Sequence, residues 1–158
     1  VKKIVVIEAL KLALEGKLYE AKAAANSARQ DAIHEQSAAE TQYDSLSIES
    51  GYLAEGQSER VEQVVQAIKR FEESYSMNAE ASVKEGTLVQ LSDESDVTSW
   101  YYIGPTEGGL KIEIAQTRVL VLTLESPLGQ AIKNKRLDDE VEFNFNGRTQ
   151  VLYVEAIL

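Results

Sequence analysis

Apolar residues recur every three or four positions through the first half of the chain and alternate with polar ones through the second. The first spacing is that of a helix face and the second that of a half-buried strand. Both prolines, Pro105 and Pro127, fall in the alternating part, and residues 1–77 contain none. The pattern therefore predicts an α+β chain of two folding units, a helical one over 1–77 and a β-rich one over 83–158.

The first helix presents Ile7, Leu10, Leu14, Leu18, Ala21, Ala25, Ala28 and Ala32 as one seam, leucine-rich at one end and alanine-rich at the other. Small seam residues let a partner backbone approach closely while burying little apolar area. A second helix returns Val61, Val64, Ile68, Phe71 and Tyr75, bulky where it would meet the leucine half of an antiparallel hairpin. This complementarity favours an intramolecular coiled-coil hairpin and a monomer over a parallel dimer. The hairpin is expected to close between Gln36 and Leu46 and to project its tip beyond the β-rich domain. Gly16, Gly51 and Gly56 each weaken a helix interior by up to about 1 kcal/mol relative to alanine, and Gly56 fits a bend.

In the second part, strands are predicted over 87–91, 100–103, 110–114, 118–124, 141–145 and 149–154. Gly108-Gly109 and Asn146-Gly147 supply turns, the latter a strong hairpin signal, and the alternation suits an antiparallel sheet. Ser126-Pro127 ends one strand, and Pro127 suits the first turn of a short helix reaching Lys133. Trp100, Tyr101 and Tyr102 read as an aromatic cluster of core or sheet-face packing.

Charge adds a local feature. The chain carries a formal net charge of −10, yet between Gln30 and Arg60 it has Asp31, Glu35, Glu40, Asp44, Glu49, Glu55 and Glu59 with no lysine or arginine. If the hairpin closes as expected, these acids gather at its far end. Such a tip suits a cationic channel or a divalent cation, and a solvated acidic face is the plainer alternative. Glu40 and Asp44 share a helix face if the second helix already includes them.

The run Ser126, Pro127, Leu128, Gly129, Gln130, Ala131, Ile132, followed by Lys135, Arg136, Leu137, Asp138, Asp139, Glu140 and Val141, resembles the C-terminal signature of the Gre family of bacterial transcript-cleavage factors. Upstream, Ala28-Arg29, Tyr43, Gly51-Tyr52 eight residues beyond that tyrosine, and Glu55-Gly56 match the family's hairpin more weakly. The resemblance covers nearly the whole chain. It implies a long coiled-coil hairpin that enters the secondary channel of bacterial RNA polymerase, followed by a domain of the FK506-binding-protein type. It further implies that Ser126, Pro127, Leu128, Gly129 and Ile132 contact polymerase, and that no cofactor is tightly bound, Mg²⁺ being at most shared with the polymerase active site.

The tip departs from the family. Gre cleavage factors carry an Asp and a Glu that direct the metal, and aligning their tyrosine with Tyr43 puts Gln36 and Ala39 in those places. The acids left for the role are Glu35, Glu40 and Asp44, with Glu40 and Asp44 as the candidate metal ligands. Magnesium keeps most of its waters and takes only one or two carboxylates, so a tip without them can occupy a channel without promoting cleavage. The resemblance implies a transcription factor that modulates elongation and is not itself an enzyme, at most stimulating the polymerase's own transcript cleavage in backtracked complexes. A coiled-coil interaction module with no polymerase role is the competing class.

Composition narrows the alternatives. With no cysteine and a sole histidine, His34, thiol catalysis, cysteine-ligated zinc and a Ser-His-Asp triad are poor readings. His34 reads as an exposed helical residue. The apolar residues from Ile4 to Ile7 are too few for a membrane span and lack a signal-peptide pattern, so a cytoplasmic location without membrane contact is expected. The acidic balance disfavours direct nucleic-acid binding, which draws on lysine and arginine, so any nucleic-acid encounter is expected to be indirect, through polymerase.

Overall fold

The computed structural model describes residues 1–38 and 45–158, and for 35–38 and 45–54 the backbone only. Two helices come first, α1 (Lys3–Ala38) and α2 (Ser45–Ser74). Then follow β1 (Leu88–Asp93), β2 (Thr98–Ile103), β3 (Lys111–Ile114), β4 (Thr117–Leu122), α3 (Pro127–Ile132), β5 (Glu140–Phe145) and β6 (Arg148–Ile157). The chain packs as two compact units, one formed by Leu12–Ile68 and the other by Val1–Lys11 with Lys69–Leu158. The closure expected between Gln36 and Leu46 lies largely outside the described residues.

In the helical unit, Leu14, Ala21, Ala25, Ala28 and Ala32 of α1 are buried, as are Val64 and Ala67 of α2. Leu18, Val61 and Ile68 are half-buried. The guanidinium of Arg29 donates to the Ser58 hydroxyl at 3.0 Å and ties the two helices together. Each alanine removes little more than a methyl group from water, of the order of 0.8 kcal/mol, so this end of the seam relies on close backbone approach rather than area.

In the other unit all six strands form one open mixed sheet of order β3-β4-β2-β1-β6-β5. The expectation of a wholly antiparallel sheet is corrected at one pair, because β2 and β4 run parallel, with Tyr102 beside Val121. β3 and β4 form a hairpin whose second strand inserts next to β2 and leaves β3 on the edge. Alternation reports which face a residue takes and is silent on the direction of the neighbouring strand. The β5–β6 hairpin turns at Asn146 (φ 51°) and Gly147 (φ 74°), with Phe145 opposite Arg148, the two-residue geometry that Asn-Gly favours.

Two layers cover the sheet. On one face Val89, Leu91, Ile103, Leu122, Val141 and Val154 form a core with Val83 and with Ile132 of α3. On the other, the ends of the long helices bring in Phe71, whose ring stacks on Tyr102 at 6.2 Å and lies 6.3 Å from Tyr75. The Ser74 hydroxyl donates to the Phe71 carbonyl at 2.7 Å and lies 3.0 Å from the Tyr102 hydroxyl, closing α2 onto the sheet. Burial, with Tyr102 and Glu72 as lesser causes, pushes the Tyr75 hydroxyl up to about 12. The aromatic cluster expected at Trp100, Tyr101 and Tyr102 is divided by the pleat: Tyr102 is fully buried against Phe71, and Tyr101 packs on the α3 side.

Lys3, at the start of α1, is 6 % exposed, and its ammonium has no hydrogen-bond partner. Burial holds its pKa below the usual lysine range; Glu80 opposes that shift, and Lys84 adds to it. A depressed lysine pKa means that the folded state gives up this proton more readily than the unfolded chain. The associated penalty is therefore present at neutral pH and relieved as pH rises through the folded pKa. Lys3→Met should accordingly stabilise the protein by about 1 kcal/mol, since it removes an unsatisfied buried polar group and keeps the apolar stem. Thermal denaturation at neutral pH checks this; a lower melting temperature for Lys3→Met would contradict it.

Candidate docking site

Ser126 stands just before α3 with φ −67° and ψ 157°, and its hydroxyl accepts from the Gly129 backbone N–H at 3.1 Å while donating to the Thr123 carbonyl at 2.7 Å. It is thus an N-cap that also fastens the helix to the end of β4. Pro127 fills the first helical position, where a missing N–H costs nothing. Gly129 is buried, and a Cβ there would lie 1.9 Å from the Thr123 carbonyl oxygen, so no larger residue fits without moving backbone. Ile132 is fully buried in the core.

The acidic turn that follows is also built from its own side chains. Arg136 N–H donates to the Asp139 carboxylate at 2.8 Å, and Asp138 N–H donates to the Val154 carbonyl at 2.8 Å. Asn134 (φ 63°) and Asp138 (φ 67°) take the left-handed conformations that turn the chain from α3 into β5. Of the five residues that the resemblance points to, Ser126, Gly129 and Ile132 therefore shape the segment from within. Pro127 is exposed, and Leu128 is half-buried where it packs against the core, so these two alone of the five keep side-chain surface facing solvent.

Leu128 opens onto a cleft of about 410 Å³ on the part of the sheet beside α3. Leu91, Tyr101, Phe143 and Leu152 line its apolar portion, and the β1–β2 turn supplies Asp93, Glu94, Ser95 and Val97. The turn is held from inside, because the Asp93 carboxylate accepts from the backbone N–H groups of Ser95 at 2.8 Å and Val97 at 2.9 Å. Glu94 and Val97 are left exposed. A second depression of about 430 Å³ shares Ser99 and Tyr101 with the first, and Lys111, Arg118 and Leu120 complete it. Arg118 pairs there with Glu113 at 2.9 Å. Tyr101 thus borders an acidic hollow and a basic one, a surface suited to a protein segment with an apolar anchor and charges of both signs.

The tip acids fare differently. Glu35 lies near the end of α1, where the backbone alone is described, and Glu40 and Asp44 lie outside the described residues. Among the described residues no group of three His, Cys, Asp or Glu side chains could hold a metal ion, and no helix is long and apolar enough to cross a membrane. His34 is exposed on α1. The cleft residues Val97, Tyr101 and Phe143 were not singled out by sequence reasoning as contact residues; they come from three strands or turns that only the sheet brings together.

No protein-family model and no curated protein sequence matches the chain. Among solved structures it is similar to that of the transcription factor Gfh1, at 16% identity over 94% of this chain and 93% of that one, with a TM-score of 0.40. It is also similar to GreA factor homolog 1 (Gfh1) of Thermus thermophilus, at 16% identity over 94% of each chain with a TM-score of 0.37. Gfh1 of Thermus aquaticus is similar at 18% identity over 91% of this chain and 90% of that one, with a TM-score of 0.40.

Proposed function

We propose that this chain is an RNA-polymerase-binding transcription factor whose helical hairpin enters the secondary channel while its sheet domain, of the FK506-binding-protein type, docks on the enzyme's exterior. The observation that carries the reading is the pairing, in one chain, of a long two-helix unit with a sheet whose short helix α3 is opened by the Gre-like Ser-Pro-x-Gly segment. At 1.5 Å per residue, the part of α1 that belongs to the helical unit, residues 12–38, extends about 40 Å, a length suited to a channel. The exposed part of the docking surface is then Pro127 and Leu128 with the cleft residues Val97, Tyr101 and Phe143.

The tip decides what the factor does once seated. An amide and a methyl group stand at the family's metal-directing positions, Gln36 and Ala39, and neither supplies the anionic oxygen that Mg²⁺ prefers. Glu35, Glu40 and Asp44 then act chiefly through charge, with Glu40 and Asp44 the remaining candidate ligands for a polymerase-held Mg²⁺. The factor occupies the channel, modulates elongation and performs no chemistry of its own. On a backtracked elongation complex it should compete with other channel-binding factors without accelerating transcript cleavage. Neutralising Glu35, Glu40 and Asp44 should weaken binding stepwise and increasingly with salt, since exposed charges are screened over about 8 Å at physiological ionic strength. Strong Mg²⁺-dependent cleavage, abolished by one tip substitution, would overturn the occupancy reading.

A further inference from the structure

α1 has a second apolar face. Outside the buried seam, Leu12, Tyr19 and Ile33 are 69%, 76% and 63% exposed, and with Asn26 they repeat every seven residues. Gly16, Ala23 and Gln30 follow these positions at a spacing of four, and open space surrounds Gly16. None of these seven residues is charged, although 27% of the chain is. The outer face of a solvated helix normally carries charges, and an uncharged stripe at this spacing matches that of a coiled-coil seam.

We infer that the free chain pairs with a second copy of itself through this stripe, α1 lying antiparallel to the partner's α1. The register follows from size and charge. Centred between Lys17 and Leu18, the pair sets Leu12 against the partner's Ala23 and Tyr19 against the partner's Gly16, so that two of the stripe's three large side chains each meet a small one. The same register sets Glu15 beside the partner's Lys22, twice by symmetry. A parallel pair would instead put Glu15 beside the partner's Glu20, a like-charge contact repeated twice, because flanking positions in a parallel coiled coil meet five residues apart. The occupant is therefore a second copy of this chain in one orientation, a departure from the monomer expected from the seam alone. The pairing does not depend on the polymerase reading.

Sedimentation equilibrium of the full chain should show a monomer–dimer equilibrium. Tyr19→Glu should weaken it by at least about tenfold, because a charge is then forced into a desolvated contact. Glu15→Lys and Lys22→Glu should each weaken it, whereas an equal mixture of the two variants, or both changes in one chain, should restore it. Since the chain has no cysteine, orientation is tested directly: Leu12→Cys and Ala23→Cys chains should form a disulfide when mixed, and Leu12→Cys alone should not. All these positions are exposed, so circular dichroism should be unchanged. A chain that stays monomeric at every concentration, a dimer indifferent to Tyr19→Glu, or self-crosslinking of Leu12→Cys alone would overturn the proposal.

Discussion

Gly129→Ala should destabilise the sheet-containing unit by about 3 kcal/mol or more, the upper range for forcing a methyl group into packed structure. The clash is with backbone: the added Cβ would lie 1.9 Å from the Thr123 carbonyl oxygen, 2.8 Å from the Thr123 carbonyl carbon and 2.9 Å from the Leu124 Cα. No rotamer change relieves it. To make room, α3 must move off the end of β4, which breaks the Ser126 cap and withdraws Ile132 from the core. Gln130→Ala on the same short helix is the control; that side chain is exposed and its loss should cost at most about 0.5 kcal/mol. Calorimetry of the two variants decides the matter, and a Gly129→Ala protein that melts with the wild type would show that α3 is not seated as described.

The second large effect concerns polymerase. Val97→Glu combined with Leu128→Glu should reduce association by about tenfold or more, because each places a charge where an apolar contact is desolvated. Glu40→Ala should cost about 1 kcal/mol or less, as exposed charges do. Substitution is a cleaner test than truncation. Phe71 and Tyr75 pack on Tyr102, so cutting the chain after α2 would strip the helix ends of their cover. Val97 is 61% exposed, and changing it leaves the core intact, whereas Leu128 also packs against the core, so circular dichroism of the double variant must match the wild type. Undiminished binding by the double variant, with loss on Glu40→Ala, would reverse the assignment.

The sequence was legible where one face decides the pattern. Ala21, Ala25, Ala28 and Ala32 stand out because a seam demands spacings of three and four, and they are buried as expected. Ala67 is less legible, although it falls between Val64 and Phe71 at the same spacings, because a methyl group barely registers as apolar beside valine and phenylalanine. The stripe outside the seam is harder to read, because Leu12 and Tyr19 stand seven apart and Ile33 a further fourteen on, with the polar Asn26 between them. The strands and the Asn146-Gly147 turn were readable from alternation and from the need for positive φ. The parallel β2–β4 contact was not, since pairing partners are set by long-range topology. For the same reason nothing in the sequence joins Val97, Tyr101, Phe143 and Leu128 into one cleft. The Ser-Pro-x-Gly segment carried a different ambiguity: a cap, a first-turn proline and a close-approach glycine leave the same trace whether or not a partner touches them.

The central claim is that this chain binds RNA polymerase, and co-sedimentation of the full chain with purified bacterial core enzyme tests it most directly. Saturable binding is expected at one chain per polymerase, competed by a channel-entering Gre factor and weakened by Val97→Glu with Leu128→Glu. A chain that stays behind at every polymerase concentration, while remaining folded by circular dichroism, would contradict it.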